Sequence, residues 1–209
     1  MYDVAIIGAG PGGYEAAAYA AKLGKKVVLF EKSEVGGTCL NVGCIPTKTL
    51  LRSARALSDC READRYGVTV GTPVLDMNAV QARKKQVVSA LCKGVATMLK
   101  GAGVELVKAE AKIAGVGRVV AGERTFEAAN ILLATGSVPA VPPIPGLRES
   151  KGVLDSTGIL ELSQVPESLV IIGAGVIGLE FACFFAELGT AVTMVEMLDR
   201  IAPVLDEEI

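Results

Sequence analysis

One signature occurs twice in this chain, and it sets narrow limits on the fold. Ile6-Ile7-Gly8-Ala9-Gly10-Pro11-Gly12-Gly13 recurs as Ile171-Ile172-Gly173-Ala174-Gly175-Val176-Ile177-Gly178, displaced by 165 residues. The register persists downstream. Glu15 matches Glu180, Ala17 matches Ala182, Leu23-Gly24 matches Leu188-Gly189, Val27 matches Val192 and Glu31 matches Glu196. A lone G-x-G-x-x-G is weak evidence, but two in one register, each with a downstream acid, are strong.

Each copy predicts a short apolar strand (Val4 to Ile7; Val170 to Ile172) that ends in a glycine turn. The first glycine allows the tight turn, the second lets backbone approach a pyrophosphate, and the third allows close helix–strand packing. The helix that follows points its free N–H groups and partial positive charge at an anion. It is expected to stop near Gly24 or Gly189. A second strand then runs from Lys26 to Phe30, or from Ala191 to Val195, into Glu31 or Glu196, whose carboxylate can accept hydrogen bonds from ribose hydroxyls. The expected fold class is therefore α/β, with two Rossmann-like dinucleotide-binding units. Glu196 would repel the 2′-phosphate of NADP and no arginine stands at 197 or 198, although Arg200 is near, so the second unit reads as an NAD site.

Bulk properties remove other classes. The chain has 209 residues, 51% of them hydrophobic, and a net charge of −2, which suits a folded core and argues against a nucleic-acid partner. The most apolar window, Leu169 to Ala186, holds three glycines and Glu180, so it reads as a buried strand–turn–helix and not a membrane span. Met1-Tyr2-Asp3 has no positive residue ahead of the first apolar run, as a secretory signal would. The compartment reads as cytoplasmic and reducing, where a persistent disulfide is more often catalytic than structural.

Between the repeats, Val80, Val87, Val88, Leu91, Val95, Met98 and Leu99 recur at helical spacing, which predicts a helix from Asn78, its expected N-cap, to Lys100. Cys92 lies inside it. Cys92, Cys60 and Cys183 all read as inert thiols in helical contexts. Alternating segments at Val104–Ile113, Arg118–Ala121 and Thr125–Ala128 predict a small antiparallel meander, and Ile131-Leu132-Leu133-Ala134 a buried strand entering Thr135-Gly136-Ser137. Pro139, Pro142, Pro143 and Pro145 mark a stiff boundary. The expected domains are 1–145 with the first dinucleotide site, a linker over 146–165, and 166–209 as the first βαβ unit of a second domain that is cut short.

The segment Gly36-Gly37-Thr38-Cys39-Leu40-Asn41-Val42-Gly43-Cys44 brings two cysteines close together. The pair could be a metal clip, a staple or a redox couple. Zinc wants four ligands, or three and a water, and the chain has no histidine and no second cysteine pair at finger spacing, so no metal is expected. A disulfide needs Cα atoms roughly 4.4–6.8 Å apart, whereas residues five apart on a regular helix lie about 8.6 Å apart. Bonding would thus require a distorted segment, which Gly36, Gly37 and Gly43 permit. So short a loop stabilises little by closure, and a strained, exposed disulfide is easily reduced, so a redox couple fits better than a staple. Ile45-Pro46-Thr47-Lys48 then opens a helix, which places Cys44 near a helix N-terminus that favours a thiolate. Nicotinamide exchanges hydride and a dithiol reacts as thiolate. A flavin can serve both, which argues for FAD in the first site and NAD in the second.

Gly36 to Lys48, GGTCLNVGCIPTK, resembles the active-site segment of the flavin-dependent disulfide oxidoreductases, which include dihydrolipoyl dehydrogenase, glutathione reductase and mercuric reductase. Leu40, Ile45 and Glu196 place the resemblance on the dihydrolipoyl dehydrogenase side, and it runs along all 209 residues, corresponding to the N-terminal half of such proteins. It implies that Cys44 lies against the flavin as a charge-transfer thiolate, that Cys39 exchanges with substrate sulfur, and that Lys48 approaches the flavin ring paired with Glu180. It implies that Gly8, Gly10, Gly13 and Glu31 hold the ADP half of FAD, with Gly37, Thr38, Lys48, Ala134, Thr135 and Gly136 completing that set, and that Gly173, Gly175, Gly178 and Glu196 hold NAD.

The implied reaction oxidises a dihydrolipoyl group, carried on a lipoyl-bearing protein or free as dihydrolipoamide, through Cys39–Cys44 and FAD to reduce NAD. The family also carries a catalytic histidine in a C-terminal dimerisation domain, which acts across a homodimer interface. This chain has no histidine and none of that domain, so the 209 residues alone are expected to turn over weakly or not at all. The alternatives are a non-catalytic FAD/NAD-binding fragment, or a reductase of the mercuric or glutathione type.

Overall fold

Short runs of β-branched and aromatic residues form the first strands, Tyr2–Ile7 (β1) and Val27–Glu31 (β2), with the alanine-rich helix Pro11–Lys22 (α1) between them. The computed structural model, which describes residues 1–206, continues with the helices Gly37–Val42 (α2), Cys44–Arg61 (α3) and Met77–Gly101 (α4). Four strands follow: Glu105–Lys108 (β3), Ala111–Gly115 (β4), Arg118–Ala121 (β5) and Arg124–Leu133 (β6). The last unit is Ser168–Ile172 (β7), Val176–Glu187 (α5) and Ala191–Val195 (β8). The expected end of the second domain at Ile209 falls outside the described residues.

The chain divides into two compact units, one of residues 1–45 and 86–143, the other of residues 46–85 and from 144 onward. In the first, six strands run in the order β3-β2-β1-β6-β5-β4. β3, β2, β1 and β6 are parallel, with Ile6 opposite Leu29 and Leu132. Side chains alternate across this sheet. Ala5, Ile7, Val28 and Phe30 pack with Val119, Phe126 and Ala128 of the meander, and Phe30 meets Phe126 edge-on at 4.9 Å. Ile6, Val27 and Leu29 pack on the opposite face with Ala17 of α1 and Leu99 of α4. Both faces of β1 and β2 are thus covered, as central parallel strands require, while Leu132 and Leu133 of β6 are exposed, and each fully buried large side chain contributes about 1.5–3 kcal/mol.

Three details depart from the sequence reading. The alternation over 104–113 predicts one meander arm, but the structure divides it, β3 joining the parallel sheet beside β2 and β4 pairing with β5. Thr125–Ala128 and Ile131–Ala134 read as two strands, yet β6 is one ten-residue strand, antiparallel to β5 in its first half and parallel to β1 in its second. Asn78 is not the N-cap of α4. Asp76 is, its Oδ1 accepting from the N–H groups of Asn78 (2.8 Å) and Ala79 (3.2 Å). Asp76→Ala is expected to lower stability by about 1 kcal/mol, read as a lower urea midpoint at unchanged slope.

In the second unit β7 and β8 pair in parallel and α5 buries Phe181, Phe184 and Phe185. Arg61, the last residue of α3, caps the end of α5 by donating to the carbonyl of Glu187 at 2.7 Å. Lys84, only 3% exposed, donates to Leu160 O and Glu161 Oε1, and Gln81 Nε2 donates to the carbonyls of Leu160 and Leu162. Among the described residues, no helix is long and apolar enough to cross a membrane and no acid, cysteine or histidine cluster could hold a metal.

Candidate functional site

The glycine turns are the same structure built twice. β1 ends at Gly8, whose N–H donates to Phe30 O at 2.8 Å, and β7 ends at Gly173, whose N–H donates to Val195 O at 2.8 Å. Gly8 has φ +104° and Gly173 φ +99°, a backbone that side chains other than glycine's rarely adopt. Gly10 and Gly175 start their helices in extended geometry, at φ/ψ of −73°/−177° and −74°/177°. A Cβ on Gly13 would lie 1.8 Å from Gly8 O, and one on Gly178 would lie 2.2 Å from Gly173 O. The third glycine therefore sets how closely each helix approaches its strand.

The acids repeat as well. Ala9 N–H donates to Glu31 Oε2 at 2.8 Å, and Ala174 N–H donates to Glu196 Oε2 at 2.7 Å. Glu31 Oε1 accepts a second bond from Ser33 N–H at 2.8 Å. Glu196 Oε1 accepts from Met197 and Leu198 at 2.7 and 2.9 Å. The N–H of Leu198, then that of Ala174, hold the Glu196 carboxyl below the usual carboxylate range. Each carboxylate keeps lone pairs beyond these bonds, so ribose hydroxyls can still be accepted.

A further repetition is invisible in the sequence. Ala9 O accepts from Gly36 N–H and Ala174 O accepts from Ala202 N–H, both at 2.8 Å. Gly36 has φ +102°, and Ala202, at φ +45°, is the one non-glycine residue with positive φ among those described. The loop after the second strand thus returns to the same carbonyl in both units, through a left-handed residue each time.

In the first unit this return carries the cysteines. A Cβ on Gly37 would lie 2.6 Å from Gly10 Cα, so two glycine backbones touch where the cysteine segment meets the dinucleotide turn. On the other side, Ala134 N–H donates to Ile7 O at 2.8 Å, and a Cβ on Gly8 would lie 2.2 Å from Ala134 O. The segments 8–13, 36–38 and 134–136 therefore converge at the carboxyl ends of β1, β2 and β6, where open α/β sheets take their ligands. No side chain caps the first turn of α1 and no acid lies in it, so its donors suit a pyrophosphate.

The distortion expected between the cysteines is a helix break. Cys39 is the third residue of α2 and half-buried, and Cys44 is the first residue of α3 and exposed. The sequence places Cys44 just ahead of a helix opening at Ile45-Pro46, whereas α3 already includes it. Gly43 lies between the two helices at φ −140°, ψ −113°, and a Cβ there would stand 2.9 Å from Thr38 O and 3.4 Å from Cys39 Cα. Lys48, one turn beyond Cys44 in α3, places Nζ 2.5 Å from Glu180 Oε1 in α5. With Lys48 largely exposed, such a pair contributes at most about 1 kcal/mol, so it orients the ammonium more than it stabilises the fold.

The pyridine nucleotide-disulphide oxidoreductase family matches over residues 2–209. The chain belongs to that family. It is 44% identical to the dihydrolipoyl dehydrogenase of Acholeplasma laidlawii over all of this chain and 63% of that protein, and 43% identical to the Bacillus subtilis one over 99% of this chain and 46% of that protein. It is 34% identical to the HOCl-induced flavoprotein disulfide reductase RclA of Escherichia coli, whose solved structure superposes at TM-score 0.84 over all of this chain and 45% of that one. The chain thus spans 45% to 63% of the lengths of these relatives.

Two site features escape the sequence reading. Asn41, between the cysteines, bonds Val35 O and Gly37 O through Nδ2 at 3.1 and 2.9 Å. Cys92, expected to be inert, is half-buried and donates its S–H to Asn41 Oδ1, with Sγ and Oδ1 3.4 Å apart.

Proposed function

We propose that this chain is the FAD- and NAD-binding part of a dihydrolipoyl dehydrogenase, with FAD on residues 1–145, NAD on residues 166–209 and Cys39–Cys44 as the redox pair. One observation carries the reading most: the N–H of Gly36 bonds the carbonyl of Ala9, which fastens a two-cysteine segment to a dinucleotide turn. Gly8, Gly10, Gly13, Glu31, Gly37, Thr38, Lys48, Ala134, Thr135 and Gly136 would hold FAD, and Gly173, Gly175, Gly178 and Glu196 would hold NAD. When bound, the flavin supplies a carrier that takes an electron pair from thiols and yields hydride to nicotinamide.

The cysteines do the sulfur chemistry. One thiolate of the substrate dithiol attacks Cys39 Sγ of the Cys39–Cys44 disulfide, forming a mixed disulfide and releasing Cys44 as thiolate. The second substrate thiolate then attacks the substrate sulfur bound to Cys39. The substrate leaves as a cyclic disulfide, and Cys39 and Cys44 hold the electron pair. Cys44 is exposed at the first residue of α3 and Cys39 is half-buried. The substrate would be a dihydrolipoyl group, on a lipoyl-bearing protein or free, in a cytoplasmic enzyme.

Anaerobic titration of the FAD-loaded protein with dithionite tests the pair. Uptake of one electron pair by the flavin and a second by Cys39–Cys44 is expected. Uptake of a single pair would remove the cysteines from the reaction, and failure to bind FAD at all would remove the first site.

Glu196 bears on the second site. Arg200 Nη2 donates to Pro203 O and Leu205 O within its own loop, and the Glu196 carboxylate would oppose a 2′-phosphate, so NADH is expected to bind at least about tenfold tighter than NADPH. With a depressed folded-state pKa, the contribution of Glu196 is present above the unfolded carboxylate value and lost only as pH falls through the lower folded one. NADH affinity measured by fluorescence is therefore expected to stay flat from about pH 8 down to about pH 5. A loss of affinity between these limits would rule out Glu196 as the ionised ribose acceptor.

A further inference from the structure

The bonds of Asn41 have a purpose that helix formation does not explain. Its amide lies between Cys39 and Cys44 and reaches back, at 3.1 and 2.9 Å, to carbonyls at both sides of Gly36, those of Val35 and Gly37. Gly36 and Gly37 are left-handed at φ +102° and +55° and are the residues that touch the dinucleotide turn. The remaining polar atom of the amide, Oδ1, accepts from Cys92 of α4. All three functions of one side chain are therefore used, two on the turn that precedes the cysteines and one on a separate helix. Aspartate has the same shape but, when ionised, no donor for the two carbonyls. Burial, and then the negative charge of Glu34, push the Cys92 thiol up, which keeps its proton on sulfur and available to Asn41.

We propose that Asn41 is a positioning residue for the redox pair, holding the glycine turn and α2 so that Cys39 is kept in place to close on Cys44, with Cys92 as its anchor on α4. This rests on the assignment of Cys39–Cys44 as the redox couple. The relevant equilibrium is protein dithiol plus glutathione disulfide going to protein disulfide plus two glutathione molecules. The cysteine–cysteine bond forms as the glutathione bond breaks, and two protons pass to glutathione. A clamp that holds the open form near the closed one lowers the ordering cost of closure, so releasing it weakens the disulfide.

The test is a set of glutathione redox buffers with acid quenching, alkylation and mass mapping of the Cys39–Cys44 peptide, performed on the wild type, Asn41→Ala, Asn41→Asp, Cys92→Ala and Cys92→Ser. The equilibrium constant for disulfide formation is expected to fall about tenfold in Asn41→Ala and Asn41→Asp, and two- to threefold in Cys92→Ala. Cys92→Ser keeps a donor and is expected to match the wild type. Asp76→Ala, which loses stability without removing any bond of Asn41, is expected to leave the constant unchanged and so separates positioning from general destabilisation. A wild-type constant in both Asn41 variants would overturn the clamp while leaving the redox assignment standing. If Asn41→Ala does not fold, Asn41→Asp, which keeps the bond from Cys92, decides. A wild-type protein whose Cys39–Cys44 bond never forms would overturn the assignment and the clamp together.

Discussion

Cys44→Ser is expected to slow reduction of the bound flavin by a dithiol, followed as a single half-reaction at a pH that ionises the dithiol without a catalytic base, by at least about 10³-fold, because removing one member of a group that acts as a unit abolishes the unit. Serine matches the size of cysteine, and the exposed start of α3 tolerates it, so fold and FAD affinity should be retained. Cys39→Ser should show the same loss by a different route: no sulfur remains for the substrate to attack, and Cys44 cannot be released. Electron transfer from NADH to a dye needs neither sulfur, so both variants should keep most of that rate. If flavin reduction by the dithiol and dye reduction fell together, the substitutions would be acting on the fold or the flavin site, and the cysteines would lose their assigned roles. Stopped-flow measurement of the two half-reactions separates these outcomes.

Gly13→Ala is expected to cost about 3 kcal/mol or more and to abolish FAD binding, whereas Gly12→Ala, one residue earlier in the same helix, should be neutral or stabilising by about 0.5–1 kcal/mol. The contrast follows from what a methyl group would meet. At Gly13 it would lie 1.8 Å from the carbonyl oxygen of Gly8, which is backbone and can move only if α1 lifts off β1. At Gly12 nothing lies within 4 Å, and the residue is helical, where alanine is favoured. Urea unfolding monitored by circular dichroism, with flavin fluorescence as the binding readout, tests both. Equal effects at the two positions would show that helix propensity, and not the approach of helix to strand, governs the turn.

The parts of the molecule that are readable from sequence are those whose cause is local. Gly8, Gly10, Gly13 and Glu31 lie within one strand–turn–helix–strand unit, and their recurrence at Gly173, Gly175, Gly178 and Glu196 marks both turns. The kink between Cys39 and Cys44 is readable for the same reason, since Gly43 lies beside it. What escapes detection depends on distant partners. Residues 104–113 alternate whether they pair in parallel or antiparallel, so only the presence of β2 reveals that β3 belongs to the main sheet. β6 reads as two strands because its exposed middle hides a single backbone run with two different neighbours. Asp76 and Asn78 are both good capping residues, and the choice between them depends on where the extended chain before α4 turns. The bond from Cys92 to Asn41 joins residues 51 apart and has no signature in either stretch.

The peptide units flanking Ala9 serve two masters. The N–H of Ala9 holds the acid that would face a ribose, and its carbonyl holds the first residue of the sulfur-bearing segment. On the proposed assignment, a nucleotide on this turn and the closure of Cys39 on Cys44 would both bear on one amino acid. Thermodynamic reciprocity then requires that whatever preference a filled cradle imposes on the sulfurs, the sulfurs impose equally on filling it.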